Sequence, residues 1–297
     1  MRQQIEAVQR MQDFIAQHYG KTVTLADLAR VAQYSPWQAH RLFAQHTGLT
    51  PAAYLRRLRL AKAALTLRDQ PCQVTDVAFQ AGFGSVDGFQ RAFRREFGRN
   101  PAEFAKNPEP VGLFTPYGVK FKYVERKPVV DNLRSVFITV TTKPARKAII
   151  KRGQQATDYF AYCEEVPCEV WGWLTSVKQA LAEPAGFWLG PAYRQPATSE
   201  YVQGVEVALD WEGELPDGFD TIELPAATYL MFQGEPFNEE DYCQAIEELQ
   251  AAINRYDPAL IGFVWDQHEP RLQLEPLGAR GYIELWPVRR SVSRLPV

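Results

Sequence analysis

Residues Thr24 to Phe104 say nearly the same thing twice. A chain that echoes itself at this spacing is expected to fold as two copies of one supersecondary unit. Asp27-Leu28-Ala29 returns as Asp76-Val77-Ala78, and Ala32 and Tyr34 return as Ala81 and Phe83, all 49 residues later. Past the turn the offset is 50: Arg41, Phe43, Gly48, Pro51, Ala52 and Tyr54 return as Arg91, Phe93, Gly98, Pro101, Ala102 and Phe104. Each copy reads as a helix, a short turn and a second helix, closed by a Gly and a Pro that stop it.

Ile5, Val8, Met11, Phe14 and Ile15 recur at helical spacing ahead of Gly20, so one amphipathic helix precedes the first copy. Thr24 reads as an N-cap with Asp27 three positions on, for a helix to about Ala32 with Leu25, Leu28 and Ala29 inward. Ser35-Pro36 opens the next helix with a cap and a first-turn proline. Leu42 and Phe43 are its core, which leaves Trp37, Gln38, His40, Arg41 and Gln45 on or near the outer side. Such a helix fits a major groove. Pro51 starts a longer helix to about Arg68, whose Arg56, Arg57 and Arg59 suit either phosphates or a solvated connecting face. In the second copy a helix begins near Ser85 and carries Val86, Asp87, Gly88, Gln90, Arg91, Arg94 and Arg95. Phe89, Phe93 and Phe97 read as core. Gly88 is expected to weaken that helix by up to about 1 kcal/mol against Ala. Arginines here can pair with guanine or with phosphate.

Charge divides along the chain. Residues 1–108 hold 15 basic and 8 acidic side chains, and the remainder holds 18 basic and 27 acidic. A basic first part suits a polyanion that an acidic second part would repel. No run of about 18 apolar residues marks a membrane span, and the N-terminus lacks a signal-peptide core. Cys72, Cys163, Cys168 and Cys243 are scattered and read as reduced thiols of a cytoplasmic protein. No metal and no cofactor are expected.

Asn107-Pro108-Glu109-Pro110 breaks the helical pattern, and 108–123 reads as a linker between domains at 1–107 and 124–290, with a tail at 291–297. The second part repeats more faintly. Ala148–Gly153 parallels Tyr229–Gly234 at an offset of 81, each a strand-like run ended by Gly. Helical regions follow at about Asp158–Ala182 and Glu239–Arg255. Phe187–Gly190 and Leu260–Trp265 come next, and the halves close on Gly204–Leu209 and Gly281–Trp286. Two strand-helix-strand-strand units predict an antiparallel α+β domain with a pseudo-two-fold axis and a ligand groove between halves. The whole chain is thus expected to be multidomain, an all-α part followed by an α+β part.

Six of the seven tryptophans lie in this second part. Strand alternation places Tyr282, Glu284 and Trp286 on one face. A carboxylate among aromatics is costly to bury without a partner, and a ligand cation held by cation–π attraction would serve. The bland alternative is a solvated face with Glu284 an ordinary surface acid. Trp171, Trp188, Tyr193, Tyr229 and Trp265 are the further aromatic candidates for the groove.

Two helix-turn-helix units joined by a helix, with Ala81-Gly82-Phe83-Gly84-Ser85 and Phe97-Gly98-Arg99-Asn100-Pro101, resemble the AraC/XylS family of transcription regulators. The resemblance implies two recognition helices in successive major-groove segments of double-stranded DNA. Trp37, His40 and Arg41 then meet bases and backbone in the first, and Val86, Asp87, Gln90 and Arg91 in the second. Ala105 departs from the family, which has an Arg there. The second part resembles the GyrI-like effector-binding domains, through an acid in the last strand shortly before a proline, here Glu284-Leu285-Trp286-Pro287. That implies a small hydrophobic or cationic effector. The order of the two parts is similar to Rob-type regulators, which implies RNA polymerase as a further partner.

The leading expectation is therefore a ligand-responsive, sequence-specific transcription regulator and not an enzyme. Two alternatives stand beside it. Glu284 with Tyr282, or His268 with Asp266, could serve acid–base hydrolysis, although no nucleophile elbow, metal cluster or phosphate loop accompanies them. An architectural DNA-binding protein without an effector is the other.

Overall fold

A computed structural model describes residues 2–123, 135–167 and 169–291. The expected start of the second domain at 124, Cys168 and residues 292–297 of the expected tail lie outside the described residues. The chain divides into two compact units, Met1–Val124 with Ser176–Lys178, and Glu125–Thr175 with Gln179–Val297.

The first unit is helical: α1 Arg2–His18, α2 Leu25–Ala32, α3 Pro36–Thr47, α4 Pro51–Asp69, α5 Val74–Gln80, α6 Val86–Phe97 and α7 Pro101–Lys106. Its starts are chemical. Thr24 and Asp27 form a reciprocal capping box on α2, and Ser35 and Gln38 form one on α3. Pro36, Pro51 and Pro101 occupy first-turn positions, where the missing N–H costs nothing. Gly48 and Gly98 end α3 and α6 in the left-handed conformation.

The repeat is visible in the hydrogen bonds. Tyr34 N donates to Ala29 O, and Phe83 N donates to Ala78 O. Between them Gln33 and Gly82 take the same left-handed turn position, at φ 60° and 75°. A Cβ on Gly82 would stand 2.7 Å from the Arg59 guanidinium, so the second copy needs glycine there for space as well as for conformation. The extra residue of the second copy is Gly84, between Phe83 and Ser85.

Helix α4 is shared by two cores. Its Tyr54, Leu55 and Leu58 pack with α1, α2 and α3, and its Leu60, Ala61, Ala63, Ala64 and Leu67 pack with α5, α6 and α7. Leu25 departs from its expected inward position and is 38% exposed, because the first residue of α2 overhangs the core that Leu28, Ala29 and Ala32 fill. Residues 108–123, expected as a linker, pack on the helical unit. Val111 and Leu113 enter the second core, Val119 enters the first, and Gln12 binds both the Tyr117 carbonyl and the Val119 N–H.

The second unit is an antiparallel sheet with helices. Its elements are β1 Phe137–Lys143, β2 Arg146–Arg152, α8 Tyr159–Glu165, α9 Glu169–Ser176, β3 Ala185–Trp188, β4 Tyr201–Val207, β5 Phe219–Leu224, β6 Ala227–Gln233, α10 Tyr242–Asn254, β7 Phe263–Trp265, β8 Arg271–Leu274 and β9 Ile283–Arg290. The sheet order is β1-β6-β9-β8-β3-β4-β2-β5, with β7 paired to β9. Three strands, β1, β5 and β8, were not expected from the sequence. The run at 260–265 is a 3-10 turn at Pro258–Ile261, the left-handed Gly262 and the three-residue β7. The strand beside β3 is β8 instead.

The order forces curvature. Lys143 and Arg146 bracket a two-residue link that reaches at most about 11 Å, yet β1 and β2 stand six strands apart, about 29 Å on a flat sheet. The link from β5 to β6 poses the same problem at the other edge. The sheet therefore curls until its ends meet. Arg146 of β2 bonds Tyr229 of β6 at 3.0 Å, and Lys143 of β1 reaches Glu206 of β4 at 2.5 Å. Ala148, Ile150, Ala185, Phe187, Val202, Leu272, Ile283 and Leu285 fill the inside of the curl. Helices α8 and α10 cover the outside, where Tyr162 meets Tyr201 at 5.6 Å and Gln250 bonds Glu284.

Candidate nucleic-acid interface and ligand site

The capping boxes decide which side of α3 faces out. With the first turn fixed at Ser35 and Ala39, Leu42 and Phe43 buried, Trp37, Arg41 and Gln45 form one outward row at four-residue spacing. Trp37 is 68% exposed, and the Arg41 guanidinium lies 4.9 Å from its ring centroid. His40 is exposed beside them. Gln38 is exposed too, but its carbonyl oxygen accepts from the Ser35 backbone and hydroxyl. Its geometry serves the cap, and its amide nitrogen alone is left for other work.

Helix α6 repeats the row with different chemistry. Asp87, Arg91 and Arg95 stand at the positions of Trp37, Arg41 and Gln45, with Arg94 also exposed. Ser85 accepts from the Gly88 N–H at 3.1 Å and acts as the N-cap. Gly88 loosens the helix and leaves the Ser85 cap without the reciprocal side chain that Gln38 gives Ser35. Val86 is half-buried and packs against the second core. Gln90 is half-buried. The open question on α4 resolves for two residues. Arg57 pairs with Glu96 at 2.7 Å, and Arg59 donates to the carbonyls of Tyr19 and Lys21. Both are structural, while Arg56 is exposed.

On the outside of the curled sheet, strand pairing brings Tyr282, Glu284, Trp286, Arg271 and Trp188 to one strip between α8 and α10. Glu284 is 0% exposed and is no surface acid. Its carboxylate accepts from Tyr282 OH at 2.7 Å, Gln250 Nε2 at 2.8 Å and Trp286 Nε1 at 2.7 Å. Burial, then the Glu284 charge, holds the Tyr282 hydroxyl well above its ordinary value and keeps it a donor. The cation expected from a ligand is present in the chain itself. Arg271 lies 3.9 Å from the Trp188 ring centroid and 4.3 Å from that of Trp286. Trp265 packs on Trp286 at 5.3 Å, and Tyr201 on Trp188 at 4.9 Å. Gly186 makes room for the Tyr201 ring, since a Cβ there would stand 1.9 Å from its hydroxyl.

The expected ligand set is thus divided by the sheet. Tyr229 points to the inside, against Arg146, and Tyr193 packs on that inner core while its hydroxyl donates to Glu269. Alternation explains it: the outer face takes Phe232 of β6, paired with Glu284, and so turns Tyr229 inward. Trp171 is half-buried on α9. Arg271 was missed because no element was read at residues 271–274. The alternation Arg271-Leu272-Gln273-Leu274 carried the signal. His268 is exposed in a turn and Asp266 accepts its backbone N–H, a local loop contact. Among the described residues no group of His, Cys, Asp and Glu could hold a metal ion, and no helix is long and apolar enough to cross a membrane.

Residues 28–107 match the family described as "Helix-turn-helix domain". The first unit therefore carries a helix-turn-helix domain, a DNA-binding class. More particularly, the chain is similar to the HTH-type transcriptional activator RhaS of Enterobacter sp. (strain 638), 43% identical over 90 residues, covering 30% of this chain and 32% of that protein. It spans about a third of the length of the curated relatives it matches. Among solved structures it is similar to the DNA-binding domain of AdpA in complex with a target DNA, at 26% identity and TM-score 0.32, covering 33% of this chain and 89% of that one. A probable AraC family transcriptional regulator from Rhodopseudomonas palustris CGA009 matches at 27% identity and TM-score 0.33, covering 35% of this chain and 99% of that one.

Proposed function

We propose that this chain is a transcription regulator of the AraC/XylS type, and that a small molecule bound in its second unit modulates its hold on DNA. Residues 1–107 bind double-stranded DNA and 124–290 bind the effector. The observation that carries the reading is the doubled row, Trp37-Arg41-Gln45 and Asp87-Arg91-Arg95, presented by two helices that each start on a serine cap and end on a left-handed glycine. Phosphate contacts position such heads and base contacts give them sequence choice. The first row, with one arginine braced on an exposed tryptophan, is equipped for base reading. The second, with two arginines and an acid and Arg94 beside them, is equipped for position and affinity. In the cell the partners are the operator DNA, the effector and RNA polymerase, which sets the protein in the cytoplasm.

For the effector, support comes from the offset of 81 that relates β2 to β6 and Tyr201-Val202-Gln203 to Tyr282-Ile283-Glu284. Two related halves with a helix on each leave a central strip lined by aromatic rings, where a small molecule can lodge. An effector acts only if it binds two states of the protein differently.

The test begins by selecting a preferred site from random duplex DNA. Arg41→Ala is expected to weaken that site by at least about 1 kcal/mol and to relax base preference. Arg91→Ala is expected to weaken specific and non-specific DNA more evenly and to lower the salt dependence. Failure to select any sequence, or unchanged affinity of Arg41→Ala in gel shift, would overturn the reading.

A further inference from the structure

The strip between α8 and α10 holds a cation in a cage and leaves that cation's hydrogen-bonding edge unused. The Arg271 guanidinium is stacked between Trp188 and Trp286, and among the described residues it makes no hydrogen bond and no ion pair. Its Nε is buried without a partner. Arginine carries five N–H donors in one plane, and stacking on both faces occupies none of them. An unmet donor of a charged group in a semi-apolar site is expensive, so the arrangement calls for an acceptor. Arg271, Trp188 and Trp286 are each half-buried, so a solute can reach them.

Glu284 does not fill that role. Its two oxygens are taken by Tyr282, Gln250 and Trp286 at 2.7–2.8 Å. It acts on Arg271 as a fixed counter-charge, and its bond to the Trp286 indole holds one wall of the cage in place. A cationic guest finds both walls already covered by a cation, and the carboxylate that would attract it buried and already accepting three hydrogen bonds.

We infer that this strip selects a small organic anion, a carboxylate on a planar apolar body, by bidentate pairing with Arg271. The inference rests on the reading of the second unit as an effector domain and names the chemical class of its effector. The carboxylate lies in the guanidinium plane, where paired N–H donors match its two oxygens. The ring system lies along the tryptophan row that Trp265 extends beyond Trp286. Arg271 is then the specificity-determining residue, and Glu284 a positioning residue that holds Trp286.

Calorimetric titration of the full chain with three matched probes tests this: 2-naphthoate, 2-naphthamide and 2-naphthylmethylammonium. The naphthoate is expected to bind at least about tenfold tighter than either of the others. Arg271→Gln is expected to remove that preference while leaving the naphthamide within about threefold, and Arg271→Lys to keep part of it because it keeps a charge without the fork. Far-UV circular dichroism checks that the variants fold, and the ranking on the unaltered chain decides the question without them. Tighter binding of the ammonium probe, or equal binding of all three, overturns the anion assignment and leaves the effector site standing. Binding of none of the three overturns the effector reading itself.

Discussion

Phe93→Ala will remove about 3–5 kcal/mol from the stability of the helical unit, as a large ring deleted from a closed core does. Phe93 is 0% exposed at the centre of α6. It touches the rings of Phe89 at 5.5 Å, Phe97 at 4.7 Å and Phe104 at 5.6 Å, so it ties α6 to itself and to α7. No neighbour can close the space, because all three are anchored by backbone that the helix caps hold. A unit of this size has a total stability of order 5–15 kcal/mol, and the variant is expected to lose much of its helical signal at body temperature. Urea unfolding followed by far-UV circular dichroism measures the loss. Trp37→Ala is the control on an exposed side chain and is expected to change stability by less than about 0.5 kcal/mol. A loss below about 1 kcal/mol for Phe93→Ala would mean that α6 is held by something other than this aromatic cluster.

The second large effect belongs to the curl of the sheet. Glu206 is 3% exposed and Arg146 1%, and they pair at 2.6 Å. Arg146 also bonds Tyr229, Pro144 O and Pro225 O, so every partner lies on the strands and links that bring the two sheet ends together. Glu206→Gln keeps the shape and deletes the charge, which strands Arg146 in the interior. The expected cost is about 3–5 kcal/mol. Replacing both residues by methionine is expected to recover much of it, since burying two charges is itself costly. Tryptophan fluorescence reads this transition, because six of the seven tryptophans lie outside the helical unit. If Glu206→Gln proved neutral, the ion pair would not be what closes the curl.

Much of the helical unit was legible because its signals are local. Thr24, Ser35, Ser85 and the prolines at 36, 51 and 101 act within one turn, so boundaries read from them fall within a residue or so of the helices. The outward row of α3 followed from spacing alone. What the spacing missed was interaction across elements: Gln38 engaged by its own cap, Val86 drawn into the core, and Arg57 and Arg59 claimed by Glu96 and by carbonyls. In the sheet unit, alternation put Tyr282, Glu284 and Trp286 together correctly, and their mutual hydrogen bonds agree. Strands β1 and β5 escaped notice for a topological reason. Each pairs with the strand of the other half, and their mixed, partly exposed patterns carry little hydrophobic signal. The division of the ligand candidates between two faces follows from alternation once the pairing of Phe232 with Glu284 sets the register, and that pairing is not encoded locally. Arg271 is the costliest omission, since it answers the question that Glu284 raised.

On the proposed function, one chain reads DNA with two heads of unequal kind. Methylation interference on a selected site, with the intact chain, tests it most directly. Two clusters of guanine contacts are expected about one helical turn apart on one face of the duplex, with base-specific interference concentrated in the cluster that Arg41→Ala removes. A single cluster, or two that both survive Arg41→Ala, would contradict it.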